Sequence, residues 1–399
     1  MTSTEAMRPH AACHALPSPP STARIAGFDG LRALAFLAVF ANHKLDFPQG
    51  DAFGALGVWA FFVLSGFLIT GILARSRAAV EAGRTSIGEA FRRFYLRRTA
   101  RIFPPYYALI AGALILSIFV DVDDFWVKEK LAYIFYATNI LIALRGAWPG
   151  DFAHLWSLAI EEQYYLLFAP LVLLLPRRRT AAACLAMIAA ALVADAGLRL
   201  ARAHSLSIYV NSLVNFGMLG LGGLVGLAAS CKPPGWMPAW LMGGWAQAAV
   251  VAALVAMPLA WGADFKLWLA LAPVVAAAAG LLLFQVYNRQ QSWFVAVLDS
   301  APLRLTGRVS YAAYLFHPFV RFSILHHLLA AAGVQLQAPR PVQILGELAG
   351  TLVLCAISWR LIERPVIRWA RRLSDSAAAG TDRRSLNIDA RGRRCGGAV

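Results

Sequence analysis

Arg32 and His43 stand 11 residues apart in the apolar run DGLRALAFLAVFANHKLDF. On an α-helix that separation turns through about 1100°, within ~20° of three full turns, and rises ~16 Å. A guanidinium and an imidazole would then share one helix face, with Asp29 one turn before Arg32. The pattern suits an anion contact at one depth and proton transfer at another. The competing reading is that Arg32 pairs with Asp29 and His43 bonds a neighbouring helix. A second run, HLWSLAIEEQYYLLFAP, places His154, Ser157 and Glu161 at i, i+3 and i+7, again on one face. Glu161 is expected at the depth of His43, where a carboxylate would orient the imidazole and stabilise its cation for general base work. Glu162 is expected to point elsewhere, as a structural carboxylate.

Three weaker signals accompany these. In RRFYLRRTARIFPPYY, read as a loop segment, Arg93, Arg97 and Arg101 follow at i, i+4 and i+8, with Arg98 adjacent. On a helix they would form a cationic ridge suited to phosphate oxygens, which guanidinium forks hold in bidentate geometry. The alternatives are a topology signal or contact with anionic lipid. RVSYAAYLFHPFV carries Tyr311, Tyr314 and His317, lining a cavity or simply packing, with Pro318 kinking the helix. Ser65-Gly66 in WAFFVLSGFLIT suggests a close helix crossing; a nucleophilic Ser65 has no base beside it in sequence. The five cysteines show no metal-ligand spacing, and no metal is expected.

The elements that must position these residues follow from composition. Of 399 residues, 59% are apolar and 15% charged, against about 45–50% and 25% in soluble domains, and the mean hydropathy is +0.59. Disorder, collagen-like fibres and disulfide-stapled modules are excluded. The net charge of +16 is mostly arginine set between apolar runs, which is not the basic face of a nucleic-acid binder. The predicted fold is an all-α polytopic membrane protein. About ten apolar runs are long enough to span the bilayer, at about 28–47, 53–74, 102–120, 154–175, 181–198, 209–229, 237–260, 267–287, 309–331 and 343–362. A shorter piece, 131–144, is expected to be re-entrant or interfacial. With both termini inside, 27 basic residues fall on the inner side and 8 outside, the bias expected of cytoplasmic loops. Residues 1–26 and 373–399 are expected to be disordered cytoplasmic arms flanking a single transmembrane domain at 27–372. No cleaved signal peptide is expected, because the N-terminal stretch lacks a basic-then-apolar pattern.

Six segments in order, DGLRALAFLAVFANH, GVWAFFVLSGFLIT, FYLRRTARIFP, LWSLAIEEQYYLLFAP, GRVSYAAYLFHPFV and SWRLIERP, resemble the integral-membrane acyltransferase family 3. Its members include O-acetyltransferases of bacterial surface polysaccharides, nodulation-factor acetyltransferases and macrolide acyltransferases. The resemblance covers about residues 24–372. It implies a bacterial inner-membrane acyltransferase with no permanently bound cofactor, using acyl-CoA, most simply acetyl-CoA, as co-substrate. The implied acceptor is a carbohydrate or glycolipid hydroxyl. It associates Arg32 and His43 with donor handling and transfer, and matches Arg97, Arg98 and Arg101 to the family's basic segment and Glu161 to its carboxylate. A departure falls at Asn215 and Gly217, where the family often carries charge. A fused SGNH-type domain is not expected. An anion-lipid transporter or flippase is the alternative function; it too would place Arg, His and Glu within helices.

Overall fold

The computed structural model describes residues 24–116, 124–231, 237–322 and 338–374, and among these every regular element is helical. Among the described residues, six helical segments are long and apolar enough to cross a membrane: Gly50–Glu81, Gly150–Leu174, Arg177–Leu200, Ser205–Ala229, Gly244–Trp261 and Arg340–Ser374. Large apolar side chains such as Leu166, Leu167, Val193, Leu259, Val353 and Leu361 are exposed on them. In a soluble protein such a surface would aggregate; facing hydrocarbon it is at equilibrium. The chain is a multi-pass membrane protein.

The remaining apolar runs depart from uninterrupted spans for identifiable reasons. α1 (Phe28–Lys44) has 17 residues and carries Asp29, Arg32, His43 and Lys44. α2 (Gly50–Glu81) is the central helix. α3 (Ile87–Leu116) is continuous through Pro104 and Pro105, so the basic segment read as a loop is helical. Residues 117–120 of the predicted third span lie outside the described residues. The 131–144 piece is divided between α4 (Asp124–Ile134) and α5 (Thr138–Arg145), broken where Tyr136 adopts φ 52°; neither part is long enough to span. α6 (Leu155–Leu174) and α7 (Thr180–Leu200) are intact. The 209–229 run is split between α8 (Ser205–Tyr209) and α9 (Ser212–Ala229), because Asn211 caps α9 through its side chain.

Beyond them, α10 is Gly244–Trp261. The 267–287 run divides at Leu271 between α11 (Phe265–Ala270) and α12 (Ala272–Asn288). Two short helices, α13 (Trp293–Leu298) and α14 (Ala301–Arg308), precede α15 (Ser310–Phe316). The predicted span 309–331 is corrected here. Its helix ends at Phe316, and His317–Phe319 form a turn where Pro318 withdraws a backbone donor. Residues 323–331 lie outside the described residues. α16 (Arg340–Ser358) continues through a π-helical turn at Trp359–Glu363 that brings Glu363 into the interior. Of the two expected arms, 1–23 and 375–399 lie outside the described residues. Arg24 and Ala26 are tied to the bundle through Asp299 and Gln290.

The core is built around α2. A Cβ on Gly66 would overlap the Leu219 carbonyl, and one on Gly222 the Val63 carbonyl. The glycines thus let α2 and α9 cross backbone to backbone, as small residues do between membrane helices. The Ser65-Gly66 crossing is therefore formed. On its other flanks α2 packs against α1, α6 and α12, and α1 is held by α14, where Gly307 abuts the Asp29 carbonyl.

Candidate functional site

The polar faces of α1, α2, α3, α6 and α15 converge on one cavity of ≈ 90 Å³. Arg32 enters from α1, Ser65 from α2, and Arg98 and Arg101 from α3; α6 contributes Ser157, Glu161 and Tyr165, and α15 contributes Ser310, Tyr311 and Tyr314. Arg98 and Arg101, at i and i+3, both reach the cavity, whereas Arg93 and Arg97, farther toward the start of α3, do not line it. Arg97 does not line the cavity; it bonds the Ser374 hydroxyl at 3.1 Å, and Arg93 faces Glu89 at 3.3 Å. The cationic ridge is thus corrected to the pair Arg98 and Arg101, joined by Arg32.

The charges are uneven. Arg32 bonds Asp29 at 3.1 Å, so the local ion pair is present while the guanidinium still reaches the cavity. The Arg98 guanidinium lies 5.6 Å from the centroid of the Tyr165 ring, a cation–π contact. Neither Arg98 nor Arg101 forms a salt bridge among the described residues. Glu161 accepts from the Ser65 hydroxyl at 2.5 Å and from the Tyr165 hydroxyl at 3.3 Å. It is the one carboxylate on a wall with three guanidinium groups, and the Glu363 carboxylate lies within electrostatic reach of Arg101. Positive charge in excess, in a water-poor setting, makes this an anion-attracting cavity.

Toward the far end of α1 the groups change to imidazoles. His43 Nδ1 lies 2.9 Å from His317 Nε2 and 3.2 Å from the Val39 carbonyl. His317 Nδ1 faces the Ala313 and Tyr314 carbonyls at 3.2 and 2.8 Å. The His154 ring packs 5.7 Å from that of His317, its nitrogens 3.1 Å from the Leu315 and Asp151 carbonyls. Ser157 joins the two regions: its hydroxyl meets Tyr314 Oη at 2.6 Å and bonds the His154 carbonyl at 3.2 Å.

The expected His43–Glu161 pair is not formed. His154 caps the start of α6 at the level of the imidazoles, and Glu161 lies seven residues on, ~10 Å deeper, among the arginines. Its partner is Ser65, which the sequence left without a neighbouring base, and the partner of His43 is His317. Tyr311 does reach the cavity, and its hydroxyl ties α15 to α3 through the Ile102 carbonyl at 3.0 Å. Glu162 makes no hydrogen bond through its buried Oε1. Asn215 bonds the Tyr209 and Asn211 carbonyls at 2.8 and 2.9 Å, a structural role beside the helix break.

Segments 87–116 and 50–81 being in place, the frame is further secured by a buried ion pair. Lys44 Nζ meets Glu347 Oε2 at 3.1 Å and the Val320 carbonyl at 2.7 Å, and Glu347 Oε1 accepts from the Phe322 amide at 2.8 Å. It fixes the end of α1 beside His43 to α16 and to the turn carrying His317. The sequence showed Lys44 only as a basic residue at the end of a span.

Comparison with known proteins finds relatives along most of the chain. O-acetyltransferase OatA of Staphylococcus aureus is 28% identical over 364 residues, covering 85% of this chain and 57% of that protein. Peptidoglycan O-acetyltransferase OatA of Listeria monocytogenes is 35% identical over 152 residues, 36% of this chain and 23% of the relative. Putative peptidoglycan O-acetyltransferase YrhL of Bacillus subtilis is 35% identical over 153 residues, with the same shares. The chain thus spans from about a quarter to little more than half the length of these curated relatives. No solved structure matches. The family described as an acyltransferase domain matches residues 25–360, with every cavity-lining residue inside that range, and the chain therefore belongs to acyltransferase family 3.

Proposed function

We propose that this chain is a membrane-embedded O-acyltransferase that moves an acyl group, most simply acetyl, from acyl-CoA to a hydroxyl of a cell-envelope glycan. The observation that carries the reading is the cavity in which Arg98 and Arg101, without salt-bridge partners among the described residues, sit beside Arg32, which shares α1 with His43. Phosphate groups of CoA bind the guanidinium forks. The ~16 Å between Arg32 and His43 along α1 suits an extended pantetheine arm reaching from the anion site toward the imidazole.

In the reaction, the acceptor hydroxyl gives its proton to His43 as its oxygen bonds the acyl carbon. The carbon–sulfur bond breaks, and the departing CoA thiolate takes the proton from His43. Glu161 holds Ser65 and offsets the cationic wall rather than orienting His43. The arginine end faces the cytoplasm of a bacterial inner membrane, with both termini inside, as the charge bias favours; His43, an exposed side chain, meets the acceptor on the outer side. Two relatives are named for peptidoglycan, which makes it the first acceptor to try.

The test supplies purified protein in lipid nanodiscs with radiolabelled acetyl-CoA and soluble peptidoglycan fragments. Label transferred to glycan, and lost in a folded His43→Ala variant, is the expected result. Absence of thioester cleavage with every glycan tried would favour a transporter of an anionic lipid-linked substrate.

A further inference from the structure

We infer that His317 is a positioning residue that fixes the tautomer of His43, so that His43 Nε2 carries the free lone pair. The chain of contacts leaves little choice. Carbonyl oxygens only accept, so His317 Nδ1, facing those of Ala313 and Tyr314, must carry its proton. Neutral His317 then presents Nε2 as an acceptor, 2.9 Å from His43 Nδ1. His43 Nδ1 must donate, and its second neighbour, the Val39 carbonyl at 3.2 Å, demands the same. The reverse assignment, with a proton on His317 Nε2, would set a bare His43 nitrogen against the Val39 oxygen. His43 Nε2 has no hydrogen-bond partner among the described residues, and the side chain is exposed, whereas His317 is fully buried.

The second imidazole therefore does what a carboxylate does in a Ser-His-Asp triad: it holds the tautomer and accepts a hydrogen bond that strengthens when the base becomes cationic. Its own orientation is secured by the two α15 carbonyls, by the His154 ring against it, and by the helix end at Phe316 that turns it inward. The catalytic consequence rests on the acyltransfer reading above; the tautomer does not.

The experiment labels histidines with ¹⁵N in the protein in nanodiscs and records their shifts at a pH where imidazole is neutral. The signals that vanish in His43→Ala give the assignment. His43 with a protonated Nδ1 and a bare Nε2 supports the proposal, and a protonated Nε2 overturns it, whether or not acyl transfer is detected. The same variants are then assayed with acetyl-CoA. His317→Gln, whose amide oxygen can still accept from Nδ1, is expected to keep the tautomer and most of the rate. His317→Leu is expected to release the tautomer and lower kcat roughly 10- to 100-fold, the worth of one hydrogen bond to a charged group, with KM for acetyl-CoA unchanged. Native kcat and an unchanged spectrum in folded His317→Leu would overturn the assignment.

Discussion

The Ser65 hydroxyl donates to Glu161 Oε1 at 2.5 Å, joining α2 to α6 through the wall of the cationic cavity. Glu161 thus belongs to the anion site and not to the imidazoles. Glu161→Gln keeps the shape and removes one negative charge from beside Arg32 and Arg98. CoA should bind a few-fold more tightly to this variant, since a repulsive carboxylate is gone. Isothermal titration with CoA measures it, and weaker binding would contradict the assignment.

Arg98 and Arg101 should dominate donor affinity. Replacing either by alanine is expected to raise Kd for CoA roughly 10- to 100-fold, as loss of a charge-assisted contact does. Arg97→Ala, whose side chain lies outside the cavity and bonds Ser374, should change Kd by less than about threefold, the range of an exposed charge contact. Equal losses at all three positions would restore the ridge that the spacing first suggested.

The ion pair of Lys44 and Glu347 is almost wholly buried, each side chain 6% exposed. Lys44→Met leaves the Glu347 carboxylate without its cation and should cost about 3–5 kcal/mol. The double variant Lys44→Met, Glu347→Leu should recover much of this. Thermal unfolding in detergent, followed by tryptophan fluorescence, compares the three proteins.

At the other end of α1, Arg24 grips Asp299 through two bonds of 2.5 and 2.6 Å. The guanidinium holds the Asp299 carboxyl below its ordinary range. A lowered folded pKa stabilises above the unfolded value, near 3.9, and the benefit is lost as pH falls through the folded value. Protease nicking near residue 24 should therefore rise on acidification below about pH 4 in the native chain. Asp299→Asn should be nicked at neutral pH as well.

Gly66→Leu or Gly222→Leu should prevent accumulation of folded protein, because neither helix can retreat from a backbone contact. Gly112→Leu, which meets open space, is the control. Size-exclusion chromatography of the solubilised proteins reads the outcome.

Much of the arrangement follows from periodicity and membrane cost. Arg32, Ser157 and Glu161 are polar residues in apolar helices, and all three face the cavity, while His43 stands near the end of α1 with an exposed side chain. The Ser65-Gly66 crossing follows from residue size. What periodicity cannot supply is the partner across the bundle. His43 meets His317 over 274 residues, and Ser65 meets Glu161 over 96. Equal depth made His43 and Glu161 look like partners, but depth depends on where each helix begins, and α6 starts at the level of the imidazoles. Likewise Pro318 signalled a bend, whereas the local chain resolves it as a helix end that aims His317 inward. The runs 209–229 and 267–287 read as unbroken because hydropathy is blind to a cap such as Asn211.

The crossing of α2 over α9 leaves no slack along that side of the molecule. The wall formed by α2 and α6 is latched by Ser65 and Glu161, so it can neither slide nor spread without breaking a charge-assisted bond. The rest of the cavity wall comes from α3 and α15, coupled through the Tyr311 hydroxyl and the Ile102 carbonyl. Those helices bear Arg98, Arg101 and Tyr314, and α15 leads directly into His317. The cavity arginines of α3 and the imidazole of His317 are thus tied to one pair of packed helices, so a substitution that loosens the Tyr311 contact should disturb both.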